Sequence, residues 1–494
     1  MRNFFLTAAL CALVSACAPS GSSPAPSVPA IEELTDREKA ERFFEQGPGA
    51  VESGGEIDTG IQENLTGGMP GLPSASLQMR MMPVPGYPGT YNVTLRNTGS
   101  GYKELFVIQI PSNPPPGPRP LLVGFHRYGV SHADVLLNTS FPAECEARGW
   151  YFVAPLGGSN CHFSSQVSLI NTRRVLDLVK QCYPIDAARV YGVGFSMGGG
   201  AALNYAARSL DPAGLRFAAV VNHTGTLSTA HAFANELDDN DADDGPVPGG
   251  ANLEANDWME FWHAGTPTSK AFAYQQSSVF QLDALTNQVV PGVDLTRNLK
   301  LIKLQSWMAS GDPLLYLGAQ TTAFAGYAAN LGLDHTLHVI PANQHTWDTL
   351  DESAVCNWFA SLNLQVPSAG SLAADSDGQK LYQFRVWKDQ PVGFAPFQWS
   401  LDPSAARLNL YGTQNLKRVE WDATECGIAY QGALRLNHSN LDASSDEILF
   451  VNVPWAPVQV QFNGSPASGS YDAQAGTFLI TTPPGVAGQW VLTF

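Results

Sequence analysis

Charged residues are scarce in this chain, and basic residues are the scarcest of them. Asp, Glu, Lys and Arg make up 14% of the 494 residues, with 27 basic against 44 acidic side chains and a formal net charge of −17. A surface of this sign repels nucleic acid and anionic membrane faces, so we expect neither as a binding partner. Hydrophobic residues make up 44%, which is enough for a sizeable core.

Long hydrophobic runs are also lacking, and none reaches the roughly 20 residues that a membrane-spanning helix needs. The apolar stretch from Phe4 to Val14 is shorter; it follows Arg2 and leads into Ser15-Ala16-Cys17. This arrangement resembles a bacterial lipobox, in which the cysteine becomes the lipidated first residue of the exported protein. We therefore expect residues 1–17 to be a lipoprotein signal peptide and Cys17 to carry lipid. A plain secretory signal is the alternative.

The residue after Cys17 indicates where an anchored chain would go. Ala18 is not Asp, and by resemblance to lipoproteins of diderm bacteria the outer membrane or the cell surface is the expected destination. The lipid would be the only contact with the membrane. The sequence leaves the oligomeric state open.

Metal-binding patterns are missing as well. None of the five cysteines beyond Cys17 sits in a CxxC pair or at a Cys/His spacing, which argues against a structural zinc site. The run Asp238–Asp244 offers oxygen ligands, but Gly245 comes one place late for an EF-hand loop and no Glu stands at the twelfth position. We interpret it as a solvated loop, leave calcium binding there open and expect no metal and no cofactor. Export permits disulfides, but the pairing stays open.

Composition divides the rest of the chain into segments. Residues 18–75 are rich in Pro, Ser, Gly and Ala, which is typical of a tether. Over 76–365, short apolar runs such as Leu121–Phe125 alternate with helical stretches such as Val167–Cys182. This alternation predicts an α/β fold, with a doubly wound, mostly parallel sheet that helices cover on both faces. Residues 228–300 interrupt the alternation and are expected to form a cap or lid.

The last part of the chain, 370–494, has a different pattern. Apolar and polar residues alternate with period two, as in Arg407–Tyr411 and Val458–Phe462, and helical periodicity is absent. Asn463-Gly464 is a strong signal for a hairpin turn. We predict a separate antiparallel β-sandwich-like accessory domain.

The motif that carries chemistry is Gly194-Phe195-Ser196-Met197-Gly198. An apolar strand leads into it and a helix of small residues, starting near Gly198, leads out. A serine in this setting stands in a strained turn at the end of a strand, and the helix N-terminus favours negative charge that develops beside it. We therefore predict Ser196 to be a nucleophile. A buried glycine-rich packing turn is the alternative.

A serine nucleophile needs a base and an acid, which follow it in the order acid, then histidine. His345 lies just beyond the apolar strand that ends at Ile340, and Asp312 follows the strand before it. We predict that His345 is the base and that Asp312 orients it. Each prediction has rivals: His335 and His338 for the base, and Asp334, Asp348 and Asp351 for the acid. Asp312 would otherwise cap a helix.

Two backbone amides should hold the oxyanion. We expect one from Met197 and the other from Tyr128, with Arg127 as the second choice for the latter. Tryptophans near the site could line a substrate groove; Trp347 stands two residues after His345, and Trp258 and Trp262 lie in the predicted cap.

These segments together resemble a known group of enzymes. The run from Pro120 to Gly129, the Ser196-Met-Gly-Gly-Gly run, Gly311-Asp312 and Gln344-His345 look like the secreted polyhydroxybutyrate depolymerases and feruloyl esterases, and the serine run is also similar to cutinase-like polyester hydrolases. The resemblance covers about 90 to 363 and implies an α/β-hydrolase fold. Arg127 departs from the group, which usually has Gly there.

The resemblance and the triad residues predict a serine esterase that cleaves carboxylic esters, small or polymeric, through an acyl-enzyme. A peptidase of the prolyl-oligopeptidase kind is one alternative, although the Pro-rich stretch upstream is too short for the β-propeller usual in that family. A non-catalytic surface-binding protein on the same fold is another.

Overall fold

A computed structural model of the chain describes residues 57–64, 76–96, 103–235 and 255–494. The predicted signal peptide, Cys17, most of the tether and the acidic run at 238–244 lie outside these residues, so what we inferred for them stays a prediction. Among the described residues, no helix combines the length and the apolar character that crossing a membrane requires.

The first part of the described chain builds one ten-stranded mixed sheet. Its strands are β1 (Ile57–Asn64), β2 (Ser76–Pro83), β3 (Thr90–Arg96), β4 (Lys103–Gln109), β5 (Arg119–Phe125), β6 (Tyr151–Pro155), β7 (Ile185–Phe195), β8 (Ala219–His223), β9 (Lys303–Ala309) and β10 (His335–Ile340). They lie in the order β1-β2-β3-β4-β6-β5-β7-β8-β9-β10. The strands from β1 to β4 and on to β6 pair antiparallel, and those from β6 to β10 pair parallel.

Both faces of the central strands are buried. In β5, Leu121, Val123 and Phe125 belong to one hydrophobic core, and Leu122 between them belongs to the other. Such strands read as continuous apolar runs because parallel strands are covered by helices on both sides. The α/β class expected from the sequence is therefore observed.

Helices connect these strands and cover the sheet. In the described residues they are α1 (Asp134–Asn138), α2 (Phe141–Arg148), α3 (Gln166–Cys182), α4 (Met197–Arg208), α5 (Thr229–Asn235), α6 (Ala255–His263), α7 (Ala271–Ser277), α8 (Leu315–Asn330) and α9 (Glu352–Ala360). The stretch that we expected to be a cap contains α5, α6 and α7, and it lies between β8 and β9.

Residues from 369 onward form two further sheets. Their strands are β11 (Ala369–Ala374), β12 (Gln379–Leu381), β13 (Phe384–Lys388), β14 (Ala395–Asp402), β15 (Arg407–Thr413), β16 (Leu416–Trp421), β17 (Ala433–Asn440), β18 (Asp446–Phe450), β19 (Gln459–Phe462), β20 (Ser465–Pro466), β21 (Ser470–Asp472), β22 (Thr477–Thr482) and β23 (Ala487–Thr493). One sheet runs β11-β14-β15-β17-β23-β19-β20 and the other β12-β13-β16-β18-β22-β21. Phe384 of the second packs edge-on against Phe397 of the first, with ring centroids 5.5 Å apart.

The expected hairpin turn is present, but two other expectations need correction. Asn463 and Gly464 have φ values of 51° and 78°, as the tight turn between β19 and β20 requires. The sheets are not purely antiparallel, because β15 pairs parallel with β17 and β16 with β18. Residues 57–64, which we assigned to the tether, form β1 and pair with β2. The sequence did not indicate this strand, because pairing through the backbone needs no apolar pattern.

The two parts of the chain share buried contacts. Arg208, at the end of α4, forms an ion pair of 2.5 Å with Asp375, and both side chains are 1% exposed. The Asn298 side-chain amide donates to the carbonyls of Ala207 and Ala373 at 2.9 and 3.0 Å. The apolar side chains of both parts belong to one continuous core, so the sandwich is less separate than its sequence suggests.

Candidate active site

The turn that carries Ser196 depends on close backbone packing. Ser196 joins β7 to α4 with φ 57° and ψ −126°, a left-handed conformation that costs free energy for a residue with a side chain. A Cβ on Gly194 would lie 2.0 Å from the Gly198 carbonyl oxygen, and one on Gly198 would lie 2.2 Å from that of Phe125. Only glycine fits at these two positions, so strand and helix can meet at a sharp angle.

Neighbouring backbone groups hold Ser196 in place. Its amide donates to the His223 carbonyl at 2.9 Å, and its carbonyl accepts from the amides of Gly199 and Thr226 at 3.0 and 3.1 Å. The residue is 8% exposed. The N-terminus of α4 begins at the next residue, so the helix dipole favours negative charge beside the hydroxyl.

His345 and Asp312 meet at the ends of two adjacent strands. Nδ1 of His345 lies 2.8 Å from Oδ2 of Asp312, which fixes the tautomer that carries its proton on Nδ1. The ring packs on Phe195, with centroids 4.4 Å apart. Nε2 is buried and has no hydrogen-bond partner within the described residues. It is therefore the nitrogen available to accept a proton.

The rival residues have other partners. Nε2 of His335 lies 2.9 Å from the Ser306 hydroxyl, and burial lowers the pKa of His335 to about 4. His338 stacks on Trp307. Asp334 pairs with Lys303, and Asp351 caps α9 by accepting from the Ala354 amide. Among the candidate acids, all of which lie in the described residues, only Asp312 forms a hydrogen bond with His345.

The loop after β5 contains the expected second oxyanion donor. The Arg127 amide donates to Oδ2 of Asp134 at 3.2 Å, and the Gly129 amide donates to the Asn160 carbonyl at 2.9 Å. Both amides are thus committed to groups of the protein, which argues against Arg127, our second choice. Tyr128 lies between them and packs its ring 5.3 Å from that of Phe163.

We expected Trp347 to line a substrate groove, but its side chain is buried. It is 2% exposed, its indole N–H donates to Oδ2 of Asp134 at 3.1 Å, and its ring lies 5.3 Å from that of Phe195. Its position two residues after His345 indicated nearness to the site but not the direction of its side chain, which points into the protein.

The two tryptophans of the predicted cap, Trp258 and Trp262, lie in different surroundings. Trp258 is half-buried and packs against an apolar cluster that includes Met197, Phe163 and Met259, and Met197 directly follows Ser196. Trp262 packs on Phe261 with ring centroids 4.9 Å apart and is not a member of that cluster. The structure therefore brings Trp258, but not Trp262, to the cluster that contains Met197.

Two buried polar residues near the site were missed by sequence reasoning. Asp134 has no exposed side-chain surface. Burial acts to raise its pKa, but hydrogen bonds and charge from Arg127 and the hydrogen bond from Trp347 outweigh burial and hold the pKa below its ordinary value. His223 packs on Phe195 and lies 2.7 Å from the Thr349 hydroxyl. Burial lowers the pKa of His223 to about 3, so it stays neutral.

A buried carboxyl group supports the neighbouring loop. The amides of Gly157 and Gly158 donate to the two oxygens of Glu104, each at 2.8 Å. Burial raises the pKa of Glu104 to about 8, although these amides, that of Leu156 and the charge of Arg174 act against it. The loop leads on to Asn160 and Phe163, which contact Gly129 and Tyr128 in the loop after β5.

Residue types that bind metals or form disulfides are spread through the described part of the chain. In the ranges that the structure describes, no three His, Cys, Asp or Glu side chains come together as a metal site. Cys145 and Cys356 are buried thiols, and burial raises the pKa of both.

Comparisons with known proteins complete the description. No family model matches the chain, and no curated protein matches it. Solved structures similar to it include the Staphylococcus aureus fluorophosphonate-binding serine hydrolase F (14% identity, TM-score 0.39, covering 55% of this chain and 97% of that one). An S-formylglutathione hydrolase from Agrobacterium tumefaciens (14%, 0.39, 57% and 95%) and a ferulic acid esterase (17%, 0.37, 55% and 95%) are others. These structural neighbours are serine hydrolases and esterases.

Proposed function

We propose that this chain is a serine esterase of the α/β-hydrolase fold, which hydrolyses carboxylic esters through an acyl-enzyme. The hydrogen bond between Asp312 and His345, beside the strained turn of Ser196, is the observation that carries the proposal. The three residues follow β9, β10 and β7, whose parallel pairing brings their carboxyl ends to one edge of the sheet. Their order along the chain, Ser, Asp, His, is that of α/β-hydrolases.

The proposed reaction begins with proton transfer. Nε2 of His345 takes the proton of the Ser196 hydroxyl as its oxygen attacks the ester carbonyl. Asp312 holds the ring in the required tautomer and stabilises the imidazolium that forms. His345 then returns a proton to the leaving alcohol. Water, activated by the same imidazole, releases the acid from Ser196 and restores the enzyme.

The negative charge on the carbonyl oxygen needs donors that are in place before the reaction. We propose the amides of Met197 and Tyr128. Met197 is the first residue of α4, where helix amides have no partner inside the helix. Tyr128 lies in the loop after β5, between two residues whose amides are committed elsewhere.

The substrate is proposed to be an ester with an apolar part. Trp258 and Tyr128 are half-buried against the cluster of Met197 and Phe163, and their accessible parts offer an apolar surface near Ser196. Polyesters and feruloyl-type esters both have this character. Bulky apolar groups would gain binding energy there in proportion to the apolar area they bury.

A direct test compares ester hydrolysis by wild type and by Ser196→Ala with p-nitrophenyl butyrate as substrate. We expect the substitution to lower kcat by roughly 10⁴-fold or more, because it removes the nucleophile. Ser361→Ala is the matched control, since this serine lies at the exposed end of α9, and it should leave turnover unchanged.

Other outcomes would reject the proposal. Equal rates for wild type and Ser196→Ala would exclude Ser196 as the nucleophile. Activity on peptidyl anilides alone would favour a peptidase, and no turnover of any ester or anilide by the folded protein would favour a non-catalytic binding role.

A further inference from the structure

Asp134 is a buried carboxylate that none of the proposed chemical steps uses. It is the first residue of α1, seven residues after Arg127, and its side chain has no exposed surface. A buried charge is costly unless charged and hydrogen-bonding partners surround it. One partner is the Asn138 side-chain amide of the same helix, which donates to Oδ1 at 2.9 Å. The others come from two loops that the proposed reaction needs.

On one side, Asp134 holds the loop after β5, which contains Arg127 and the proposed oxyanion donor Tyr128. We call it the oxyanion loop. Asp134 accepts from the Arg127 amide at 3.2 Å, from Nε at 3.1 Å and from Nη2 at 2.7 Å. Backbone and side chain of one residue thus bind the same carboxylate. The adjacent peptide leads to Tyr128, whose amide is the proposed oxyanion donor, so the position of that amide depends on this anchoring. The Arg127 guanidinium also lies 6.0 Å from the centroid of the Phe195 ring.

On the other side, Asp134 holds the loop after β10, which contains the proposed base His345 and Trp347. We call it the base loop. The Trp347 indole N–H donates to Oδ2 at 3.1 Å, and Trp347 is two residues from His345. The carboxylate stays ionised at neutral pH, because Arg127 and Trp347 hold its pKa below the ordinary value in spite of burial. Oδ2 therefore binds both loops as a fixed negative charge.

The rings between these loops are in contact as well. Phe195, directly before the nucleophile, packs on both His345 and Trp347. Movement of Trp347 would therefore shift both the base and the residue before Ser196. A displacement of about 1 Å between reacting groups can cost ~100-fold in rate.

We propose that Asp134 is a positioning residue that fixes the oxyanion loop and the base loop relative to each other, through Arg127 on one side and Trp347 on the other. The inference rests on the proposed function. It also gives a role to Arg127, whose guanidinium folds back onto Asp134.

Trp347→Phe is the sharpest test, because it keeps an aromatic ring at the buried position and removes the indole N–H. The smaller ring also leaves a cavity, so the control must lose the same volume. We expect kcat for p-nitrophenyl butyrate to fall by ~10-fold or more, with KM within about 3-fold of wild type, since positioning acts on the transition state. Trp490→Phe is the matched control. Trp490 is similarly buried in β23, and its indole N–H has no acceptor within the described residues. This control should leave kcat unchanged.

Asp134→Asn and the double variant add a test of coupling. Asparagine keeps the size of the side chain and loses its charge, and we expect a fall in kcat at least as large as for Trp347→Phe. If the indole acts through Asp134, the double variant should lose little more than Asp134→Asn alone. Additive losses would contradict the proposal. If Asp134→Asn does not fold, as judged by its melting transition, Trp347→Phe decides alone.

The failure of this inference differs from the failure of the proposed function. Suppose that wild type hydrolyses the ester and Ser196→Ala does not. If kcat of Trp347→Phe then stays within about twofold of wild type, or is lowered no more than that of Trp490→Phe, positioning by Asp134 is wrong but the proposed esterase function stands. If no ester is turned over by wild type, the proposed function itself fails.

Discussion

Glu104 is a single residue whose ionisation should be visible in the stability of the whole protein. Burial raises its pKa to about 8 from an ordinary value of 4.5. Between these two pH values the folded chain keeps a proton that the unfolded chain loses. Its contribution to stability is therefore fully present below about pH 4.5 and is lost as pH rises through about 8.

We predict that the melting temperature of wild type falls over this window more steeply than that of Glu104→Gln, which cannot ionise. The variant loses one amide hydrogen bond, because its own NH₂ group faces a backbone donor, so it should be the less stable protein at pH 5. Differential scanning calorimetry of both proteins from about pH 5 to pH 9 checks the slopes. Parallel curves would mean that Glu104 is already ionised at neutral pH.

Residue-scale prediction from sequence is possible where chemistry leaves a local pattern. A five-residue motif led to the prediction for Ser196, and positions after apolar strands led to those for His345 and Asp312. The hydrogen bond between Asp312 and His345 joins two of these residues in the structure. Asp134 left no such pattern, because its partner Trp347 is 213 residues away in the sequence and nothing local to either residue indicates the contact.

At the scale of elements, helix α4 depends on glycines along its whole first turn. A Cβ on Gly200 would lie 2.0 Å from the Thr226 carbonyl oxygen, and backbone there cannot move without shifting the turn of Ser196. The helix therefore approaches the chain after β8 more closely than any side chain would allow.

We predict that Gly200→Ala destabilises the protein by about 3 kcal/mol or more, because the added methyl group forces a backbone shift in a packed core. Gly326→Ala is the matched control in α8. This glycine is exposed and a Cβ there meets nothing within 4 Å, so alanine should stabilise the protein by about 0.5–1 kcal/mol. Urea unfolding of the three proteins measures both changes. A tolerated Gly200→Ala would show that α4 can move away from the Thr226 backbone.

Most strands of the large sheet could be predicted because burial on both faces produces unbroken apolar runs. The strand expected at Leu121–Phe125 is observed over Arg119–Phe125, and the helix expected at Val167–Cys182 over Gln166–Cys182. The parallel pairing of β15 with β17 could not be predicted, because a period-two pattern specifies which side chains face the core and not which strand lies alongside.

At the scale of the whole molecule, the buried ion pair between Arg208 and Asp375 joins the two parts of the chain. Arg208 ends the helix that begins beside Ser196, and Asp375 follows β11. Burial lowers the pKa of Arg208, and the charge of Asp375 acts against that shift. Removal of the carboxylate would leave the guanidinium buried with no countercharge of its own.

We predict that Asp375→Ala lowers the free energy of unfolding by about 3–5 kcal/mol, as breaking a buried pair does. Asp186→Ala is the matched control, because the Asp186–Arg189 pair lies near the surface with side chains 25% and 35% exposed, and its loss should cost about 1 kcal/mol or less. Denaturant unfolding followed by tryptophan fluorescence measures both. Equal effects would indicate that the buried pair between Arg208 and Asp375 contributes no more to stability than a pair near the surface.

Helix α4 has one further consequence for how such a protein can change over generations. Its twelve residues connect the turn of Ser196 directly to the contact with Asp375. Exchange of the C-terminal portion for that of another protein would carry a mismatch along this helix to Ser196, the proposed nucleophile, even if the new portion folded well. Gene shuffling at this junction should therefore yield few active chimaeras unless the segments around Arg208 and Asp375 are inherited together.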